Sequence, residues 1–277
     1  MEKREEQERI RRGREFMMSQ CGSPEEQSYV SDQEKNLLQP PLVKATMTDS
    51  SIELPLEFGG LLAEENFRAV ALNRKSSRVY TEEEMSLSEL SFLLYYTQGV
   101  KEIRGKSYAT LRTVPCGGAR HPFETYLLVQ KVAGLAPGAY HYLPMTHRLE
   151  LLEELEQGAL RERIGDSLFG QSWAAKANVV FYWSFVPYRA EWRYGPFAHK
   201  INLIDLGHVG ENLYLGCAAL GLGTCGIGYY NQALCDKTFR LDGEEEFIAY
   251  TQSVGTVQEK DAPAEQEFYR FVKEQGL

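Results

Sequence analysis

No run in this 277-residue chain is long and apolar enough to cross a bilayer. The longest, residues 177–188 (ANVVFYWSFVPY), holds twelve residues, against about 20 for a membrane helix, and reads as a buried strand. Residues 1–14 are densely charged with no apolar core, so they do not read as a signal peptide. Excess basic charge is missing too. The formal charge is −9, which argues against a nucleic-acid or anionic-membrane partner. Cysteine is sparse and unpatterned: Cys21, Cys116, Cys217, Cys225 and Cys235 form no CxxC pair. Reduced thiols in a cytoplasm are expected, with neither a disulfide framework nor a metal site. There is no GxSxG elbow, and no Walker loop closes on GKS or GKT.

What is present is a large core composition, 43% hydrophobic and 12% aromatic. Residues 1–20 alternate charge with sparse apolar positions and predict a solvated helix. Residues 21–56 lack periodicity and read as an extended arm, either packing over a partner subunit or simply disordered. The organisation expected is therefore an N-terminal helix and arm at 1–56 and a compact domain at 57–277. Ser86 and Glu89 form a capping box that starts a helix ending at Gly99. Strand patterns occupy 124–132, 139–143, 178–185 and 247–254. A long helix is expected over 196–220, apolar on nearly every face and therefore central and buried. Residues 188–197 read as a loop over the pocket, and 264–272 as a last helix. With few long parallel crossovers, the class is α+β, layered rather than doubly wound.

Three segments carry chemistry. Residues 73–78 (NRKSSR) place Arg74, Lys75, Ser76 and Arg78 within reach of one phosphate. The competing reading is the solvated cationic end of a preceding helix. Residues 114–124 (VPCGGARHPFE) form a tight turn at Pro115, Cys116, Gly117 and Gly118 that permits close backbone approach to a ligand. Cys116 has no base placed beside it by sequence, so nucleophilic catalysis is the minor reading. Residues 221–230 (GLGTCGIGYY) put four glycines after a helix, where a dinucleotide fingerprint would precede one. A helix cap and tight turn is its bland reading. Asp205, His208 and Asn212 draw a polar stripe on the long helix, read as a satisfied network. Together the segments suit a phosphorylated, planar redox cofactor, and flavin mononucleotide (FMN) meets all three demands.

In order and content these segments resemble the nitroreductase superfamily, and more closely its SagB-type dehydrogenase branch. The matching residues are Arg74, Ser76 and Arg78; Pro115, Gly118, His121, Pro122 and Glu124; Gly207, His208, Asn212 and Leu213; and the GLG run from Gly221 to Gly228. The resemblance implies a nitroreductase-like fold, a central mixed or antiparallel sheet flanked by helices. It also implies an obligate homodimer with FMN at the subunit interface. Arg74, Lys75, Ser76 and Arg78 would hold the phosphate. Pro115, Cys116, Gly117 and Gly118 would reach the flavin from the other subunit, and Gly226, Ile227 and Gly228 would lie near its N5 edge. A small-molecule substrate reduced with NAD(P)H is the leading expectation. An azoline dehydrogenase of peptide tailoring, or a catalytically silent flavin-binding subunit, are the alternatives. Cys116 replaces the family's usual serine. Where azoline oxidases of the branch carry a Lys-Tyr pair for proton removal, this chain has Arg193 and Tyr194. Arginine stays protonated and is a poor base, which leaves Tyr194 as the candidate acid or base.

Overall fold

A continuous apolar strand can feed two cores at once, because successive side chains point to opposite sheet faces. That is how residues 123–129 and 179–185 are used. The computed structural model of the chain describes residues 2–18, 22–258, 270 and 273–276. Its strands are β1 (Ser51–Glu53), β2 (Val100–Arg104), β3 (Ala109–Arg112), β4 (Phe123–Val129), β5 (Gly138–Leu143), β6 (Arg148–Glu154), β7 (Val179–Phe185), β8 (Gly223–Ile227) and β9 (Phe247–Gly255). Seven of them form one antiparallel sheet in the order β1-β6-β5-β4-β7-β9-β8, while β2 and β3 pair separately. The helices are α1 (Glu2–Met17), α2 (Pro24–Ser28), α3 (Phe67–Asn73), α4 (Leu87–Gln98), α5 (Gln157–Ser167), α6 (Tyr188–Tyr194), α7 (Ala198–Leu220) and α8 (Gln232–Thr238). Leu127, Val129, Phe181 and Trp183 face α4 and α7 in one core. Tyr126, Leu128, Val180 and Tyr182 face α5 and α8 in the other. The expected α+β class and its antiparallel sheet are both observed.

The capping box is formed as expected: Ser86 Oγ accepts from Glu89 N–H, and Glu89 accepts from Ser86 N–H. Two expectations are corrected. Helix α7 is not buried all round; it buries Leu206, Val209, Leu213 and Cys217 on one face and leaves Leu203 and Ile204 55% and 54% exposed. Its small residues are used for close approach, since a Cβ on Gly210 would lie 2.9 Å from Tyr250 and one on Gly216 2.9 Å from Leu93. Residues 188–194 are helix α6 rather than loop, its Arg189, Ala190 and Trp192 buried. The helix expected at 264–272 falls outside the described residues, apart from Arg270.

Part of the arm, residues 44–48, packs against the sheet of its own chain. Carboxylates on the sheet hold it there. Glu124 accepts from Lys44 N–H at 2.7 Å, and Glu150 accepts from Met47 and Thr48 N–H at 2.8 and 3.0 Å. Glu246 pairs with the Lys44 ammonium and accepts from Tyr126 OH at 2.8 Å. Glu124 is buried and pairs with buried Arg189 at 2.5 Å. Burial pushes its carboxyl upward, but Arg189, His141 and Arg112 more than reverse this and hold it well below the usual carboxylate range. The same carboxylates, Glu124 and Glu150, outweigh burial at His141 and raise its pKa.

Glu124→Gln is therefore expected to cost about 3–5 kcal/mol, because it strands a buried guanidinium. A depressed folded pKa stabilises above the unfolded value, about 4.3 for glutamate, and that contribution is lost as pH falls. The deficit of the variant in urea unfolding should be full at neutral pH and shrink below about pH 4. A pH-independent deficit would remove the ion pair as its cause.

Candidate functional site

The cationic segment 73–78 follows α3 and lies along the outer side of edge strand β8. Ser76 forms a parallel bridge with Thr224, and Ser77 N–H donates to Thr224 O at 2.7 Å. One tyrosine joins this segment to the glycine run. Tyr214 OH accepts from Gly226 N–H at 2.8 Å and lies 3.0 Å from Ser76 Oγ. The Arg74 guanidinium stacks over the Tyr214 ring at 5.2 Å, and Arg78 stacks over Trp173 at 5.6 Å. A cavity of about 200 Å³ beside the segment is lined by Lys75, Ser77, Tyr214, Gly221 and Thr224 among others, while Arg74, Ser76 and Arg78 lie outside its lining. Among the described residues neither Arg74 nor Arg78 is paired with a carboxylate. Two guanidiniums on aromatic faces, their N–H groups uncommitted, are the donor set a phosphate needs, so the residues present fit FMN here.

The glycine run is divided in use. Gly226 donates its amide to Tyr214, and a Cβ there would lie 2.0 Å from Tyr250 OH. Ile227 is buried with its carbonyl accepting from Thr251 OH at 3.0 Å. Gly228 is exposed with nothing within 4 Å of its Cβ position, so it is the member left open to a ligand.

The turn at 115–118 sits elsewhere, over the first half of α7. Gly117 N–H donates to Asp205 Oδ2 at 3.0 Å, and the Cys116 thiol donates to the same oxygen at 3.2 Å. Cys116 and Gly117 thus both donate to Asp205. Burial, then the Asp205 charge, push the Cys116 thiol up to about 12, which rules out a thiolate nucleophile at neutral pH. Gly118, Ala119 and His121 all have positive φ (58°, 53° and 43°). Non-glycine residues in that region cost of order 1–3 kcal/mol each and concentrate at functional sites. Burial and then the Arg112 charge depress His121 to about 2, so it stays neutral. Facing the turn is Tyr194, whose OH would lie 2.4 Å from a Cβ on Gly118, with the Arg193 side chain at 3.1 Å. Among the described residues the Tyr194 hydroxyl makes no hydrogen bond.

The sequence-nominated residues therefore fall into two clusters, each gripped by α7. Asp205 holds one and Tyr214 the other. Nine residues of helix separate them by about 13 Å and about 180° of rotation, so the helix itself stands between the clusters. The polar stripe on α7 is not a network: Asp205 is buried, His208 is exposed, and Asn212 donates to Tyr96 O at 2.8 Å. Sequence reasoning missed Tyr214 and Trp173 as site residues. The only local signal for Tyr214 is its place two residues after the Asn212 motif. Trp173, in an irregular loop, has none.

With the geometry in hand, comparison with known proteins is specific. The Nitroreductase family matches residues 71–256. The chain is 32% identical over 161 residues to the nitroreductase-named protein MJ1384 of Methanocaldococcus jannaschii, covering 58% of this chain and 77% of that protein. It is 32% identical over 165 residues to the trifolitoxin-processing protein TfxB of Rhizobium leguminosarum bv. trifolii, covering 57% of this chain but only 44% of TfxB. In shape it is similar to a nitroreductase-named crystal structure from Ralstonia eutropha, with a TM-score of 0.61 at 23% identity, covering 80% of this chain and 95% of the other. It is also similar to a chain of the Escherichia coli microcin synthetase McbBCD complex bound to truncated pro-MccB17. There the TM-score is 0.55 at 20% identity, covering 75% and 79%.

Proposed function

On the premise that this chain belongs to the nitroreductase family, an oxidoreductase family, we propose that it is a cytoplasmic, FMN-dependent enzyme working as a homodimer, with NAD(P)H as donor and a nitroaromatic or quinone-like acceptor. The observation that carries the proposal is the split of one set of ligand-binding residues onto opposite sides of α7. Two copies, each giving one cluster, make a complete site where one copy cannot, and the exposed Leu203 gives α7 apolar surface for a partner to cover. When bound, FMN supplies two-electron hydride acceptance and donation, in a ping-pong cycle.

The chain's own residues do the rest. Arg74 and Arg78, with Lys75 and Ser76 beside them, bind and orient the phosphate. Tyr214 locks that segment to β8 by its contacts with Ser76 and Gly226. Asp205 fixes the 115–118 turn, whose backbone would hold the ring of a partner's FMN and help exclude water. The Tyr194 hydroxyl, against Gly118 and without a hydrogen bond among the described residues, delivers or removes a proton on the substrate. Arg193 remains charged and does not serve as the base.

A second reading, dehydrogenation of a peptide heterocycle, draws support from the likeness to TfxB and to McbBCD. One preparation separates them. Yellow protein at dimer mass by light scattering, bleached anaerobically by NADH or NADPH, is the expected result. Yellow protein inert to both donors favours peptide dehydrogenation or a silent flavin subunit, and a stable flavin-bound monomer overturns the shared site.

A further inference from the structure

Between the arm and the start of α7 lies a second cavity, of about 440 Å³, within the range of small-molecule sites. Its walls include Tyr29 from the arm and Arg193, Tyr194, Phe197, Lys200 and Ile204 from α6 and α7. The arm is built onto this place. Gln33 N–H donates to Trp192 O at 2.9 Å, Trp192 Nε1 to Leu37 O at 3.0 Å, and Tyr188 OH to Asp32 at 3.1 Å. Tyr29 packs edge-on to Phe197 at 5.9 Å and seats against Gly195, where a Cβ would lie 2.1 Å from its ring. Gly195 has a positive φ of 49°, so glycine is required there twice over. Tyr194 places the floor of this cavity against the 115–118 turn.

The charges lining it are uneven in their commitments. On the arm two carboxylates line it: Glu34 accepts through one oxygen from Ser31 N–H and OH at 2.8 and 2.7 Å, and Glu26 accepts from Gly22 N–H. On the helix side, Arg193 Nη1 donates to Tyr108 OH at 2.5 Å and Lys200 Nζ to Met17 O at 2.6 Å. Among the described residues neither cation has a carboxylate partner, and Arg120, whose guanidinium lies 4.7 Å over the Tyr108 ring, adds a third cation nearby. Cations held by neutral acceptors beside aromatic walls leave an anion site open.

We infer that this arm-walled cavity takes the acceptor substrate, and that the substrate is an aromatic or otherwise apolar molecule bearing an anionic group such as a carboxylate, received by Arg193 and Lys200. This rests on the proposed oxidoreductase reading. It gives Arg193 a substrate-binding role in place of a base and gives the arm a share in specificity.

The test uses a near-isosteric pair, 4-nitrobenzoate and 4-nitrobenzamide, with binding measured by calorimetry on the full-length protein. Wild type is expected to bind the benzoate at least tenfold more tightly, since hydrogen bonds to a charged group are stronger than neutral ones. Arg193→Gln should reduce that preference to about twofold or less, and Arg193→Lys should retain most of it. Lys200→Gln should lower it in part, and Tyr29→Ala should weaken both ligands alike. In turnover, Arg193→Gln should raise KM for the benzoate with little change in kcat. Equal binding of the pair by wild type, or a preference that survives both Arg193→Gln and Lys200→Gln, overturns the inference. Colourless protein that still prefers the benzoate upholds this cavity and defeats the flavin reading. Yellow protein indifferent to the charge does the reverse.

Discussion

Protein with both Arg74 and Arg78 changed to alanine is expected to purify without FMN. Each guanidinium is held over an aromatic ring, Tyr214 or Trp173, which positions it without using its N–H groups. A charge-assisted bond of that kind contributes about 1.5–3 kcal/mol, so each loss should weaken FMN by tenfold or more, and the pair by a hundredfold or more. Both residues would share one phosphate, so their effects need not add, and the single variants should be titrated beside the double. Flavin absorbance per protomer and fluorescence titration of apoprotein are the measurements. Neither side chain is in a core, so the far-UV circular dichroism should be unchanged. Full flavin content at unaltered affinity would show that the segment is only the solvated cationic end of α3.

Tyr194→Phe is expected to lower turnover by about 10²–10⁴-fold while leaving flavin content intact, the range for losing a positioned acid or base. The substitution keeps the ring over which Arg193 lies at 5.5 Å and removes only the hydroxyl. Because that hydroxyl has no hydrogen bond among the described residues, deleting it leaves no stranded partner and should leave stability within about 0.5 kcal/mol. A large kinetic effect with a small stability effect is what separates chemistry from packing. Unchanged turnover in a flavin-loaded variant would leave Tyr194 as a packing residue at the junction of α6 and α7.

How much of this was legible in advance follows from the range of each interaction. Helix α4 was readable because its capping box spans three residues and its apolar run follows at once. Strands β4, β5, β7 and β9 were readable from short apolar runs bounded by turn residues. The cationic cluster at 74–78 and the turn at 115–118 were readable because their donors and glycines are neighbours in the chain. Helix α5 was not, since Glu156 gives it no side-chain cap and its charged residues mask a narrow apolar face. The helix at 188–194 is not legible in the sequence, because its propensity is mixed and it is held by burial of Arg189 and Trp192 against distant segments.

What the sequence determined by itself was therefore the local donor chemistry: which short segments gather guanidinium groups or glycine-turn amides within a few residues. Where those segments stand relative to one another was decided only by tertiary structure. Whether Asp205 and Tyr214 serve one side of α7 or two depends on helical phase together with the sheet and turn that dock there, and those docking partners are contributed from far along the chain. The arm's place beside Tyr194 likewise depends on Gly195 meeting Tyr29 across 166 positions, a contact with no local signature because it is made by shape.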